Sequence, residues 1–235
     1  MKILAIGAHP DDLEIACYGT LARYVKEGHS VYVCHVSNGN LGHAVIKQDE
    51  LTEIRRKEAE NAAASIGARH YTLNIDDQYV DSSDDEQVKR LVRVIREVRP
   101  DFIITHCEND YHRDHVQTYQ LVFRATCCAS LAHYDDGSGL PTVEICPLYQ
   151  MDTLANTDFN PTEFVDIGET IELKLKALAC HESQIVWMKE HDKIDFVEFV
   201  RNSSRVRGYQ CGVEYAEGFR LDMHYGRMTA KRLLL

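Results

Sequence analysis

The sequence predicts an α/β protein with an open, doubly wound, mostly parallel sheet, helices on both faces, and a more elaborate C-terminal part. Three observations predict it. Over the first two-thirds of the 235 residues, apolar runs of strand length alternate with amphipathic stretches of helix length. That alternation is the pattern of parallel strands buried on both faces and joined by right-handed crossovers. Gly and Pro punctuate the ends of the helical stretches. Segments rich in His and Asp follow the apolar runs, at the strand ends where open α/β sheets bind ligands.

"KILAIGA" (2–8) is a continuous apolar run and reads as the first strand. "DLEIACYGTLARYVKEG" (12–28) then reads as one helix, with Ile15, Leu21, Ala22 and Val25 on its apolar face and Gly28 at its end. "SVYVCHVS" is a second strand and 38–49 a loop. "ELTEIRRKEAENAAASIG" is rich in good helix formers and stops at Gly67. "HYTLN" is a short strand, and "DDEQVKRLVRVIREVRP" an amphipathic helix halted before Pro100. "DFIITHC" (101–107) is the next buried strand and 115–132 the next helix. The doubly wound part is expected to run to about residue 155. Around and beyond that point, "EICPLYQM", "TEFVDIG" and "EYAEGFRLDM" read as strands, and 169–183 and 193–208 as helices. No linker rich in Pro, Gly or Ser and no internal repeat interrupts the chain, so one domain is expected over 1–235.

The net charge is −11, with 37 acidic against 26 basic residues. This argues against nucleic acid as a partner, since phosphate neutralisation needs a basic face. No apolar run approaches the roughly 18 residues of a membrane helix, so no membrane insertion is expected. "MKILAIGAHPDD" is too short in its apolar part and too acidic after it for a signal peptide, and a cytoplasmic location is expected. None of the eight cysteines (17, 34, 107, 127, 128, 146, 180 and 211) forms a C-x-x-C pair. They read as buried, reduced, small hydrophobes.

Chemistry concentrates in two segments. His9 and Asp12 stand three apart after the first strand, and His112 and His115 three apart in "YHRDH" after "DFIIT". Either segment alone also reads as an ordinary helix start, where Pro and Asp are favoured. Together, two imidazoles and a carboxylate match a catalytic zinc site, which takes three protein ligands and leaves a place for water. His9, Asp12 and His115 are the candidate ligands. Asp11 and His112 are left over as an acid–base pair, and Asp114 lies where it can orient a histidine ring. Zinc suits the donor set, although Fe(II), Mn(II) or Co(II) would also be held.

"AHPDDLE", with "HRDH" about a hundred residues later, resembles the PIG-L/LmbE-like family of zinc-dependent N-deacetylases. That family acts on N-acetylglucosaminyl conjugates, among them those of the bacillithiol, mycothiol and GPI-anchor pathways. "VSNGNLG", "EIRRKEAENAAASIG" and "ALACHESQ" extend the likeness over most of the chain. The resemblance implies a Rossmann-like sheet and a metal on His9, Asp12 and His115. It makes Asp11 the general base, His112 the group that stabilises or protonates the transition state, and Asp114 the carboxylate partner of His112. Arg55 matches an arginine of substrate binding, with Arg56 one position away. Asn38, in the loop after the second strand, and His181, in "HESQ", join it as candidate substrate contacts. The implied reaction removes an acetyl group from an N-acetylated amino sugar or its conjugate, a small-molecule partner. Relatives are often oligomers.

Some relatives are instead hydratases of unsaturated carboxylic acids, and that is the alternative activity. A nucleotide-binding dehydrogenase is disfavoured because "GAHPDD" stands where G-x-G-x-x-G is required. A non-catalytic metal-binding module would leave Asp11 and His112 without purpose.

Overall fold

A computed structural model describes residues 1–235. Seven strands form one sheet in the order β3-β2-β1-β4-β5-β7-β6. They are β1 (Lys2–Gly7), β2 (Ser30–Ser37), β3 (Arg69–Ile75), β4 (Phe102–Thr105), β5 (Leu148–Met151), β6 (Glu163–Asp166) and β7 (Ala216–Leu221). The first five are mutually parallel, whereas β7 runs antiparallel to both β5 and β6. The open α/β sheet expected from the alternation is present, and the C-terminal elaboration is this antiparallel edge.

Successive residues of β1 serve opposite faces of the sheet, because strand side chains alternate. Ile3 and Ala5 join one buried core with Leu21 and Tyr24 of α2 (Tyr18–Lys26). The same core takes Leu175 of α6 (Ile171–Leu178) and Phe196 of α8 (Phe196–Cys211). Leu4 and Ile6 join the other core with Val88, Leu91 and Val92 of α4 (Asp85–Val98) and Leu121 and Val122 of α5 (Arg113–Ser130). The helix α3 (Gln48–Ile66) ends at Gly67, whose φ of 81° is the left-handed conformation that glycine adopts without strain.

Two helices read as continuous from the sequence are broken. The first gives way at Cys17, which separates α1 (Asp12–Ala16) from α2. The amides of Gly19 and Thr20, which open α2, donate to the carboxylate of Glu217 on β7 at 2.9 and 2.7 Å. Glu217 is in turn paired with buried Lys174. The second break lies at Ala179–His181, before α7 (Glu182–Trp187). There the Ser183 amide and hydroxyl donate to Glu58 of α3 at 2.8 and 2.6 Å. In both places a carboxylate from a distant element caps the new helix start. The strand expected from Glu144 begins only at Leu148, after Pro147, which has no N–H to give to a ladder.

Candidate active site

The strand order reverses between β1 and β4, so the loops leaving their C-terminal ends part and open a crevice. A cavity of about 290 Å³ lies there. From the β1 side His9, Asp11 and Asp12 line it, and from the β4 side Asp110, His112 and His115. The β1–α1 turn is tight. The His9 amide donates to Asp12 Oδ2 at 2.6 Å, which folds the carboxylate back beside the His9 ring. Asp11 takes φ 116°, ψ −26°, a conformation that non-glycine residues rarely adopt and that surrounding contacts must hold. Arg55 of α3 provides such contacts. Its Nη2 donates to Pro10 O at 2.6 Å and its Nη1 to Gly39 O at 3.1 Å. A Cβ at Gly39 would overlap the guanidinium, so glycine is required beside it.

Asp12 is the hinge of the cluster. Its Oδ2 lies 3.3 Å from His9 Nδ1 and its Oδ1 3.3 Å from His115 Nε2. Each ring has a carboxylate behind its other nitrogen. His9 Nε2 is 3.3 Å from Asp114 Oδ2 and 3.2 Å from Asp77 Oδ1, and His115 Nδ1 is 3.0 Å from Asp110 Oδ1. A carboxylate behind the ring, with the opposite nitrogen turned inward, is how proteins fix a histidine for a metal ion. His106 also comes within 3.3 Å of Asp12, but its Nε2 accepts the Ala8 amide at 2.9 Å, so that lone pair is committed. The ligand atoms of His9, His112 and His115 lie within 4.8 Å of one another, as do those of Asp12, His106 and His115.

The electrostatics are compatible with a cation. Burial opposes charge on His115, yet Asp12 and Asp110 push its pKa up to about 9. His9 is likewise raised by Asp114, Asp12 and Asp77 against the effect of burial. Asp12 is buried too, but His115 and His106 hold it well below the usual carboxylate range. A buried nest that draws protons onto its imidazoles suits a divalent ion, whose charge replaces them. The residues present therefore fit the metal implied by the donor set.

Asp11 and His112 lie beside them. Burial raises the Asp11 pKa to about 6, although Arg55, with Nη2 3.5 Å from Asp11 Oδ1, works in the opposite direction. His112 precedes α5 and its Nδ1 accepts the Asp114 amide at 3.2 Å, which puts the proton of the neutral ring on Nε2. The side-chain amide of Gln78 lies 3.3 Å from that Nε2. The His112 ring centroid is 4.8 Å from those of both His9 and His115.

Seven of the sequence-predicted residues meet at this cluster: His9, Asp11, Asp12, His112, His115, Asp114 and Arg55. Three expectations need correction. The Asp114 carboxylate supports His9 and accepts the Gln78 amide at 2.8 Å, and towards His112 it presents its own backbone N–H. Asn38 does not line the cavity. Its Nδ2 donates to Asn74 and Asp76 and its Oδ1 accepts the Asn40 amide, so the side chain ties the β2 loop to the end of β3. His181 is fully buried with Nε2 3.0 Å from Glu14 Oε1, and it does not line the cavity either. Of the two arginines, Arg55 is 3% exposed and faces the cavity, whereas Arg56 pairs with Glu53 and Glu60 on the outer face of α3. Sequence reading missed Asp77 and Asp110 as the carboxylates behind the rings. Asp77 ends the run "NIDD" after β3, so the strand-end rule that found His9 also points to it.

A family model described as PIG-L, GlcNAc-PI de-N-acetylase, matches residues 4–126. The chain is 29% identical over 192 residues to 4-oxalmesaconate hydratase of Pseudomonas putida, with 77% of this chain and 73% of that one covered. It is 26% identical over 228 residues to diacetylchitobiose deacetylase of Thermococcus kodakarensis, covering 93% and 82%. Among solved structures, N,N'-diacetylchitobiose deacetylase from Pyrococcus horikoshii superposes with a TM-score of 0.81 at 29% identity, over 94% of this chain and 83% of that one. The matched segment carries every strand and loop from which the His–Asp cluster is built, and on this ground the chain belongs to the PIG-L family.

Proposed function

We propose that this protein is a metal-dependent hydrolase that removes the acetyl group from an N-acetylated amino sugar or its conjugate. One observation carries the reading: His9 and His115 each turn one nitrogen to Asp12 while a carboxylate backs the other, and Asp11 and His112 line the same cavity beside them. Two deacetylases among the relatives support it. His9, Asp12 and His115 would hold the ion, with zinc preferred and Fe(II), Mn(II) or Co(II) also suited to the donors. Such an ion supplies Lewis-acid polarisation of a carbonyl and lowers the pKa of water.

The chain's own groups do the rest. Asp11, ionised above a pKa of about 6, takes a proton from the attacking water on its carboxylate. His112 offers its Nε2–H to the oxygen that gains charge when the amide carbonyl becomes tetrahedral. The C–N bond then breaks, and the proton held by Asp11 passes to the leaving nitrogen, giving acetate and a free amine. Arg55 keeps Pro10 and Asp11 in place while lining the same cavity. The substrate is a small molecule, and no helix is long and apolar enough to cross a membrane.

The relative that hydrates 4-oxalmesaconate favours a second reading, addition of water to an unsaturated acid by the same groups. A screen of N-acetylated amino sugars for acetate release, with metal analysis of the same sample, separates the two. Acetate and amine in equal amounts support the hydrolase. A hydrated acid from the unsaturated substrate, with no acetate from any amide, refutes it.

A further inference from the structure

The cavity has two ends of different character. One holds the His–Asp cluster. The other is walled by Ile15 of α1, Met151 at the end of β5, Leu154 just beyond it, Met188 of the π-helical turn Met188–Asp192, and Phe196. Met151 and Phe196 belong to the buried core, and Ile15, Leu154 and Met188 pack half-buried against it. The wall is therefore backed by fixed packing.

Its buried carboxylate is already answered. Asp152 lies at this end, but buried Arg207 holds both its oxygens, with Nε–Oδ2 2.5 Å and Nη2–Oδ1 3.0 Å. Asp192 sits at the rim with Oδ1 2.8 Å from His191 Nδ1. No lysine lines the cavity, and Arg55 is its sole arginine. The Arg55 guanidinium is spent on Pro10 O, Gly39 O and Asp11. A carboxylate or phosphate at the apolar end would lose its water and find no cation, a costly transfer. An uncharged apolar group would gain by burial.

Resting on the hydrolase reading above, we infer that this wall is a second subsite. It seats an uncharged, apolar group attached to the N-acetylated sugar, and it excludes anionic substituents. This favours an alkyl or aryl glycoside as the substrate class, and it disfavours the polyanionic acid that a hydratase would take.

The test uses the zinc-loaded protein and methyl, butyl and hexyl glycosides of N-acetylglucosamine, with a 5-carboxypentyl glycoside as the charged match for hexyl. Acetate release gives kcat/KM. The expected series rises by about two- to fourfold per added methylene, since full burial of a methylene is worth about fourfold. The carboxylated glycoside should fall at least about tenfold below hexyl. Leu154→Ser and Met188→Ser should each lower the hexyl-to-methyl ratio. A flat series, or a carboxylated glycoside as good as hexyl, overturns the subsite while acetate release still supports the hydrolase. If no glycoside yields acetate, the hydrolase reading fails, and binding decides the subsite. Trp187, the chain's one tryptophan, adjoins Met188 and stacks on His191 at 4.3 Å, so its emission reports occupancy of this end. Affinity that rises with chain length in that measurement upholds the apolar subsite, and affinity independent of length overturns it.

Discussion

Replacing Arg55 by Met tests how the base is held. The guanidinium lies 3.5 Å from Asp11 and, after burial, is the largest influence on that carboxyl, acting to lower its pKa. An opposite charge at this range shifts a carboxyl by about 1–3 units, so its removal should raise Asp11 from about 6 towards about 8. At pH 7 the ionised fraction would then fall from about nine-tenths to about one-tenth. The sign is fixed: a base that must be ionised loses activity on the acid side, so the acidic limb of kcat/KM moves to higher pH. The variant should be about tenfold slower at pH 7 and recover towards pH 9. Pro10 O and Gly39 O also lose a donor, at a stability cost of about 1–3 kcal/mol each. The assay is a pH profile of acetate release for wild type, Arg55→Met and Arg55→Lys. Lys retains the charge, so its limb should stay near that of wild type. If Arg55→Met raises KM but leaves the acidic limb in place, Arg55 is a substrate contact only and the account of the base is wrong.

Asp11→Asn should keep its metal and lose nearly all turnover, and normal amide hydrolysis by that variant would remove Asp11 as the base. His115→Ala should lose bound metal, which elemental analysis of the purified variant checks. Asp110→Asn, which alters the carboxylate behind His115, should weaken metal binding by about 10–100-fold in a chelator competition. Stability should also fall in acid because burial lowers the His35 pKa to about 3. The unfolded chain binds that proton near pH 6.5 and the folded chain does not, so the contribution is intact above about 6.5 and is lost towards 3. At pH 5 this amounts to about 2 kcal/mol. Urea unfolding at pH 7 and pH 5 should show a loss larger by that amount in wild type than in His35→Gln.

The open sheet was legible because the central parallel strands are short apolar runs and amphipathic helical stretches lie between them. The proposed metal donors were legible because β1 and β4 are both followed by segments rich in His and Asp. What escaped depends on residues far apart in the chain. The breaks at Cys17 and at Ala179–His181 are set by Glu217 and Glu58, and no local pattern announces a cap from another element. Asp114 stands two residues from His112, yet the start of α5 turns its carboxylate to His9, more than a hundred residues away. Asn38 lies in the right loop, but its side chain is consumed by Asn74, Asp76 and Asn40. His181 belongs to a recognisable motif, but it is sealed against Glu14.

The pairing of β1 with β4, with Ile6 opposite Thr105, has a consequence for synthesis. The two halves of the ion nest leave the ribosome about a hundred residues apart, with β2 and β3 in between. A nascent chain that has emerged only as far as β3 carries His9 and Asp12 but lacks His115. The full set of proposed ion donors is therefore assembled only after β4 has docked.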